Sequence, residues 1–292
     1  MNTIAVIGAT GTAGSLVTRK LKSQDVAIVE ISRSHGVDLI SGRGLSEALQ
    51  GVDVAIDASN VSPDDIGDVG AAQTRAAHNV VDACVAGEVR RLVLLTIAGI
   101  DRREFDDYPY YVAKRLQREI ALHSAVPTTI VKSTQFHEFA TNPAAVTFSP
   151  NEIVAEDWLI QPIAADTVAE VLVVAATSAQ SAPRAITGPG VIRLPDLTSK
   201  VLDAQGDHRR VRAAQPPVAA LAEGALLAPG HAVAIGPTID TWLDAIKAKM
   251  EAEAEGGRSA ATSDEARERA GPDQCEAAAD EGERAFNTTA QQ

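Results

Sequence analysis

The chain has 292 residues, 45% of them apolar and 22% charged, which admits one large domain or two modest ones and excludes collagen-like, wholly disordered and disulfide-scaffold architectures. Its net charge of −13 argues against a general nucleic-acid binder, which needs clustered Lys and Arg to displace counterions from phosphates. The sequence holds no run of about 18 apolar residues that would mark a membrane span. It opens without a signal-peptide pattern, and Cys84 and Cys275, lacking CxxC spacing, suggest neither a disulfide framework nor a thiolate metal site. A soluble protein of a reducing cytoplasm is expected.

Residues 1–132 alternate short β-rich runs with helical patterns, the signature of βαβ units on a parallel sheet. Strands are expected from Thr3 to Ile7, Val26 to Ile31, Val52 to Ala58, Leu92 to Thr96 and Thr128 to Lys132, and helices begin near Thr12, Leu45, Val69 and Tyr110. Each strand is nearly continuous in Val, Ile, Leu and Ala, so helices must cover both faces of a doubly wound α/β sheet.

Beyond Lys132 helices are expected from Asp166 to Thr177, Pro195 to Ala204, Pro217 to Leu227 and Ile239 to Met250, with a turn at Gly188-Pro189-Gly190. Residues 133–250 read as a small lobe of extra strands and helices integrated with the edge of the sheet. Residues 251–292 carry eleven acidic residues and four Arg, a balance of −7, with Phe286 their only large apolar side chain. Such a segment buries too little surface to offset the entropy of ordering, so a disordered, solvated tail is predicted.

The sharpest motif is Gly8-Ala9-Thr10-Gly11-Thr12-Ala13-Gly14, directly behind the strand Ile4-Ala5-Val6-Ile7 and opening a helix. Glycines at these places allow a tight turn and a close backbone approach to a pyrophosphate, while the helix N-terminus offers unpaired N–H groups. Residues 1–132 are therefore expected to bind a dinucleotide. The tip of the second strand reads Ile31-Ser32-Arg33-Ser34-His35. The Arg33 fork, with the Ser32 and Ser34 hydroxyls, suits a 2′-phosphate and favours NADPH over NAD, although a shift of the strand end would bring Glu30 toward the ribose instead.

The GxxGxxG spacing resembles the atypical short-chain dehydrogenases/reductases of the NmrA-like, NAD(P)H-binding type, over about residues 3–250. Five further stretches carry the likeness: Val37-Asp38-Leu39, Asp57-Ala58-Ser59-Asn60, Tyr110-Tyr111-Val112-Ala113-Lys114, Thr134 to Phe139 and Gln161 to Ala169. The resemblance implies a Rossmann-like fold, an adenine contact at Asp38 and Leu39, and further cofactor contacts at Ala58, Ser59 and Asn60.

Tyr110 and Lys114 stand four residues apart and so share one helix face, as a proton-transfer pair requires. An adjacent ammonium would stabilise phenolate and lower the phenol pKa from about 10. In the resembling superfamily this is the YxxxK pair, which implies Tyr110 as general acid, Lys114 as its tuner and a ribose contact, and Thr96 in the place of a substrate-orienting Ser. Tyr111, three residues from Lys114, is assigned to packing or a pocket wall.

Eight of the ten aromatics lie between residues 105 and 158, after the carboxyl ends of two strands. They either wall an apolar substrate pocket, with Tyr111, Gln135, Phe136, His137, Phe139 and Trp158 lining it, or cement the small lobe to the sheet. His137 and Glu138 lack HExxH spacing, so no metal is expected, and His137 is a polar pocket residue or a structural histidine. Asp166 sits where a helix N-cap would be. The combined expectation is NADPH-dependent reduction of a small, fairly apolar carbonyl compound, against two alternatives: a dinucleotide-sensing regulator without turnover, or a nucleotide-sugar epimerase or dehydratase. No nucleic-acid or membrane partner is expected, and the oligomeric state stays open.

Overall fold

A computed structural model describes residues 2–61, 69–178 and 183–252. Residues 1–243 form one compact unit and Asp244 onward a second. Residues 239–252 are helical, and the predicted disordered tail lies, from residue 253 on, outside the described residues.

The first unit is built on seven parallel strands. In chain order they are β1 (Asn2–Ile7), β2 (Val26–Ile31), β3 (Val54–Asp57), β4 (Arg91–Ile97), β5 (Thr128–Ser133), β9 (Ala185–Thr187) and β12 (Val233–Ala234). Their spatial order is β12-β9-β5-β4-β3-β1-β2. β1 lies between β2 and β3, with Ile4 opposite both Ile28 and Val54. Helices α1 (Thr12–Leu21) and α5 (Ala165–Thr177) cover one face through Val17, Leu21, Val168 and Leu172. Helices α2 (Leu45–Ala48), α3 (Val69–Ala86) and α4 (Pro109–Leu122) cover the other through Leu45, Val80, Cys84 and Ala121. Each fully buried Leu, Ile or Val in these layers contributes about 1.5–3 kcal/mol. This is the doubly wound, Rossmann-like fold the sequence predicts. The chain leaves β1 and β3 toward opposite faces, so the sheet opens a crevice between their carboxyl ends, where such folds bind ligands.

The remaining elements form a smaller cluster. Strands β6 (Val146–Phe148), β7 (Glu152–Glu156) and β11 (Arg210–Ala214) make a three-stranded sheet, and β8 (Leu159–Ile160) pairs with β10 (Ile192–Arg193). Helix α6 (Leu194–Ala204) and the single turn α7 (Ala219–Ala222) pack Leu197, Val201 and Leu221 against Phe105, Tyr111, Ile153 and Trp158. α7 is shorter than the predicted helix from Pro217 to Leu227, because Gly224 takes a left-handed φ of +81° and stops it.

Candidate functional site

The Gly8–Gly14 loop is shaped by backbone contacts. Gly8 adopts φ +81°, and the N–H groups of Gly8 and Ala9 both donate to Ile31 O, at 2.9 and 3.1 Å, tying the loop to the end of β2. A Cβ on Gly8 would lie 2.9 Å from Ser59 Cα, and one on Gly14 would strike the Gly8 carbonyl oxygen. Glycine is therefore required where α1 crosses the loop and where the loop meets the segment after β3. Gly11 caps α1 without a side-chain hydrogen bond, so the first-turn N–H groups at Thr12, Ala13 and Gly14 remain available to an anion. Both features suit a pyrophosphate cradle.

At the end of β2, Ser32 Oγ lies 2.7 Å from His35 Nδ1 and 2.8 Å from Ser34 Oγ, organising a one-turn helix that leaves Arg33 exposed. Glu30, the competing ribose ligand, is in an ion pair with Lys22 at 2.9 Å. Asp38 turns its carboxylate onto its own loop, accepting from Ile40 N at 2.9 Å and Ser41 Oγ at 2.6 Å, bonds that hold its pKa below the usual carboxylate value. Asn79 of α3 donates to the carbonyls of Leu39 and Ile40, at 2.8 and 2.9 Å. Nothing in the sequence singled out Asn79, an amide on a helix whose partners lie about forty residues away.

The segment after β3 is the meeting point. Asp57, at the end of β3, accepts from Ser59 N at 2.9 Å. Pro109 opens α4, which puts Tyr110 in its first turn and Lys114 one turn on, both aimed at this segment. Tyr110 donates its hydroxyl to Asn60 Oδ1 at 3.3 Å, and Lys114 Nζ donates to Ser59 O at 3.1 Å and to Gln117 Oε1 at 3.2 Å. The helix face is shared as predicted, yet among the described residues no hydrogen bond joins Tyr110 to Lys114. Burial governs both: it pushes the Tyr110 phenol up to about 12 and the Lys114 ammonium down to about 8, against the upward pull of Asp57 on the latter. The expected lowering of the phenol by Lys114 is thus absent from this arrangement. Thr96, at the end of β4, is buried with its hydroxyl unpartnered.

Of the expected pocket residues, Tyr111 and Trp158 are buried in the lobe core. Tyr111 stacks among Phe105, Tyr108 and Tyr110 at centroid distances of 4.6, 5.1 and 5.3 Å, and Trp158 packs on Phe139 at 5.2 Å. These contacts cement the lobe. His137 is wholly buried, with Nε2 donating to Pro162 O at 3.1 Å and its ring edge-on to Trp242. Gln135 and Phe136 are half-buried beside it, and Gln135 Oε1 has no partner. Asp166 does not cap α5. The cap is Glu138, whose carboxylate accepts from Ala165 N at 3.2 Å, while Asp166 bridges to Arg19 and Lys20 of α1.

The profile of a protein family described as NAD(P)H-binding matches residues 8–179, from the glycine loop through α5. The chain belongs to this NAD(P)H-binding family. Among solved structures, similar folds include an NADPH-dependent quinone oxidoreductase from Escherichia coli complexed with NADPH (TM-score 0.61, 15% identity, covering 84% of this chain and 99% of that one). Others are a short-chain dehydrogenase/reductase superfamily protein from Agrobacterium tumefaciens with bound NAD (0.61, 15%, 88% and 100%) and a UDP-N-acetylglucosamine 4-epimerase from Bacillus cereus (0.61, 14%, 86% and 97%). No curated protein sequence matches the chain. As a family member it is an NAD(P)H-binding protein, and among the described residues no helix is long and apolar enough to cross a membrane.

Proposed function

We propose that this NAD(P)H-binding protein is an NADPH-dependent oxidoreductase that reduces a small, fairly apolar carbonyl or related compound, with Tyr110 as general acid. The bond from Tyr110 to Asn60 carries this reading, because it sets the acid on the same segment, residues 58–60, against which the Gly8 turn packs. The uncapped α1 N-terminus and the glycine cradle fit a pyrophosphate, and Arg33, with Glu30 engaged by Lys22, fits a 2′-phosphate. Bound NADPH supplies the hydride. Tyr110, kept protonated by its buried surroundings, gives a proton to the carbonyl oxygen, and Thr96 offers that oxygen a hydroxyl. Lys114 holds Ser59 in place and presents a positive charge beneath the segment.

A regulator that binds the dinucleotide without turnover is the second reading, favoured by Lys114 bonding to Ser59 and Gln117 rather than to Tyr110. Calorimetric titration with NADPH and NADH, on wild type and Arg33→Ala, followed by NADPH oxidation against a panel of aldehydes, ketones and quinones, separates the two. Tighter NADPH binding that Arg33→Ala weakens at least tenfold, together with turnover of a carbonyl, supports the oxidoreductase. Tight binding with no turnover supports the regulator, and equal binding of both cofactors, indifferent to Arg33, overturns the NADPH preference.

A further inference from the structure

Four buried polar side chains form one connected network beneath the segment that follows β3. Asp57, Gln73, Lys114 and Gln117 are each less than 5% exposed. Gln117 is their hub: Nε2 donates to Asp57 Oδ2 at 3.1 Å, while Oε1 accepts from Lys114 Nζ at 3.2 Å and from Gln73 Nε2 at 3.1 Å. The outer ends of the network all reach the same stretch of backbone. Asp57 takes Ser59 N, Lys114 gives to Ser59 O, and Gln73 Oε1 takes Val61 N at 3.1 Å.

We propose that Gln117 is the positioning residue of this site: its amide stands between the Asp57 carboxylate and the Lys114 ammonium, holds Lys114 on the Ser59 carbonyl, and fixes the proton affinity of that ammonium. Its chemistry allows this because an amide is the side chain that donates to a carboxylate at one end while accepting from an ammonium at the other. A buried ammonium and a buried carboxylate each need a hydrogen-bonded partner, and one neutral amide satisfies both without letting them collapse into a direct pair. Replacing it by an apolar side chain leaves both charges short of a bond in a low-dielectric place.

Lys114 is already pushed down to about 8 by burial. The ionisable group facing it is Asp57 on β3, and Asp57 is faced in turn by Cys84 of α3, whose thiol burial and the Asp57 charge push up to about 12. Loss of the hydrogen bond that the charged form gives to Gln117 Oε1 lowers Lys114 further.

The test is a pH titration of the lysine side-chain carbon and nitrogen resonances of the full chain by NMR, with Lys114→Met assigning the signal. In Gln117→Met the Lys114 midpoint falls by about one unit. In Gln117→Glu, which retains an acceptor facing the ammonium, the midpoint stays at or above the wild-type value. A purely structural role lowers the melting temperature and leaves both midpoints at the wild-type value, which overturns the proposal, as does an equal fall in both variants. Should Gln117→Met not fold, Gln117→Asn gives the second arm, because its shorter amide cannot reach Asp57 and Lys114 together: the Lys114 midpoint falls, and an unchanged midpoint overturns the proposal. The consequence for the cofactor rests on the proposed NADPH binding: Gln117→Met weakens it about tenfold. Failure of the wild type to bind NADPH counts against that reading alone, because the Lys114 titration needs no cofactor.

Discussion

Tyr110 donates its hydroxyl to Asn60 Oδ1 at 3.3 Å, and this bond links the first turn of α4 to the segment on which the Gly8 turn rests. The phenol is otherwise walled by Tyr111, whose ring centroid lies 5.3 Å away. Tyr110→Phe removes the hydroxyl of the proposed acid and leaves the ring packing intact. Turnover is expected to fall about 10²- to 10⁴-fold, the usual contribution of a positioned acid, with NADPH affinity unchanged. Steady-state rates and calorimetry on the variant check this, and full turnover would remove Tyr110 from the acid role.

A methyl group on Gly14 collides with the Gly8 carbonyl, backbone against backbone, so no side chain can swing away to relieve it. Gly14→Ala must push α1 off the loop. The expected outcome is a loss of about 1–3 kcal/mol in denaturant stability, typical of overpacking, with a larger proportional loss of dinucleotide binding. Gly190, whose added Cβ would meet nothing within 4 Å, is the control, and Gly190→Ala leaves both quantities near wild type.

Glu138 and Asp166 both lie at the start of α5, and their roles are separable. Glu138→Ala removes the acceptor for Ala165 N, and the cost is about 1 kcal/mol, the usual worth of a cap. Asp166→Ala breaks only a half-exposed pair with Arg19 and Lys20, and changes stability by less than about 1 kcal/mol. Urea denaturation of the two variants compares them directly. A larger loss from Asp166→Ala would restore the capping role that its sequence position suggested.

The parallel core was legible because most of its strands are nearly continuous in apolar residues and its glycine loop stands directly behind one of them. The lobe sheet was not, since β11, Arg210–Ala214, is short and finds its partner β7 nearly sixty residues earlier. The spacing of Tyr110 and Lys114 on one face was also readable. Two of the groups they touch were not: Asn60 and Ser59 reach the pair through tertiary contacts that no local spacing encodes, whereas Gln117 stands three residues beyond Lys114 on the same helix. The Asp166 cap failed for a related reason, because Glu138 arrives from another element and satisfies the helix end first.

His137 supplies a pH signature. Nε2 donates to the Pro162 carbonyl, so Nδ1 is the bare nitrogen of the neutral ring, and it is buried without a partner. Burial pulls the pKa from 6.5 down to about 4. The folded protein therefore holds this proton more weakly than the unfolded chain, and as pH falls from about 6.5 to 4 the unfolded state gains a proton that the folded state refuses. Stability attributable to His137 is complete above pH 6.5 and lost across that window, by roughly 3 kcal/mol at 1.36 kcal/mol per unit. His137→Gln keeps an N–H for Pro162 and abolishes the titration. Urea unfolding free energies of wild type and variant, measured from pH 7 to 4, are expected to converge by that amount as acid is added. The carboxylates common to both proteins cancel in the difference, so parallel profiles would mean that the ring takes up its proton inside the fold.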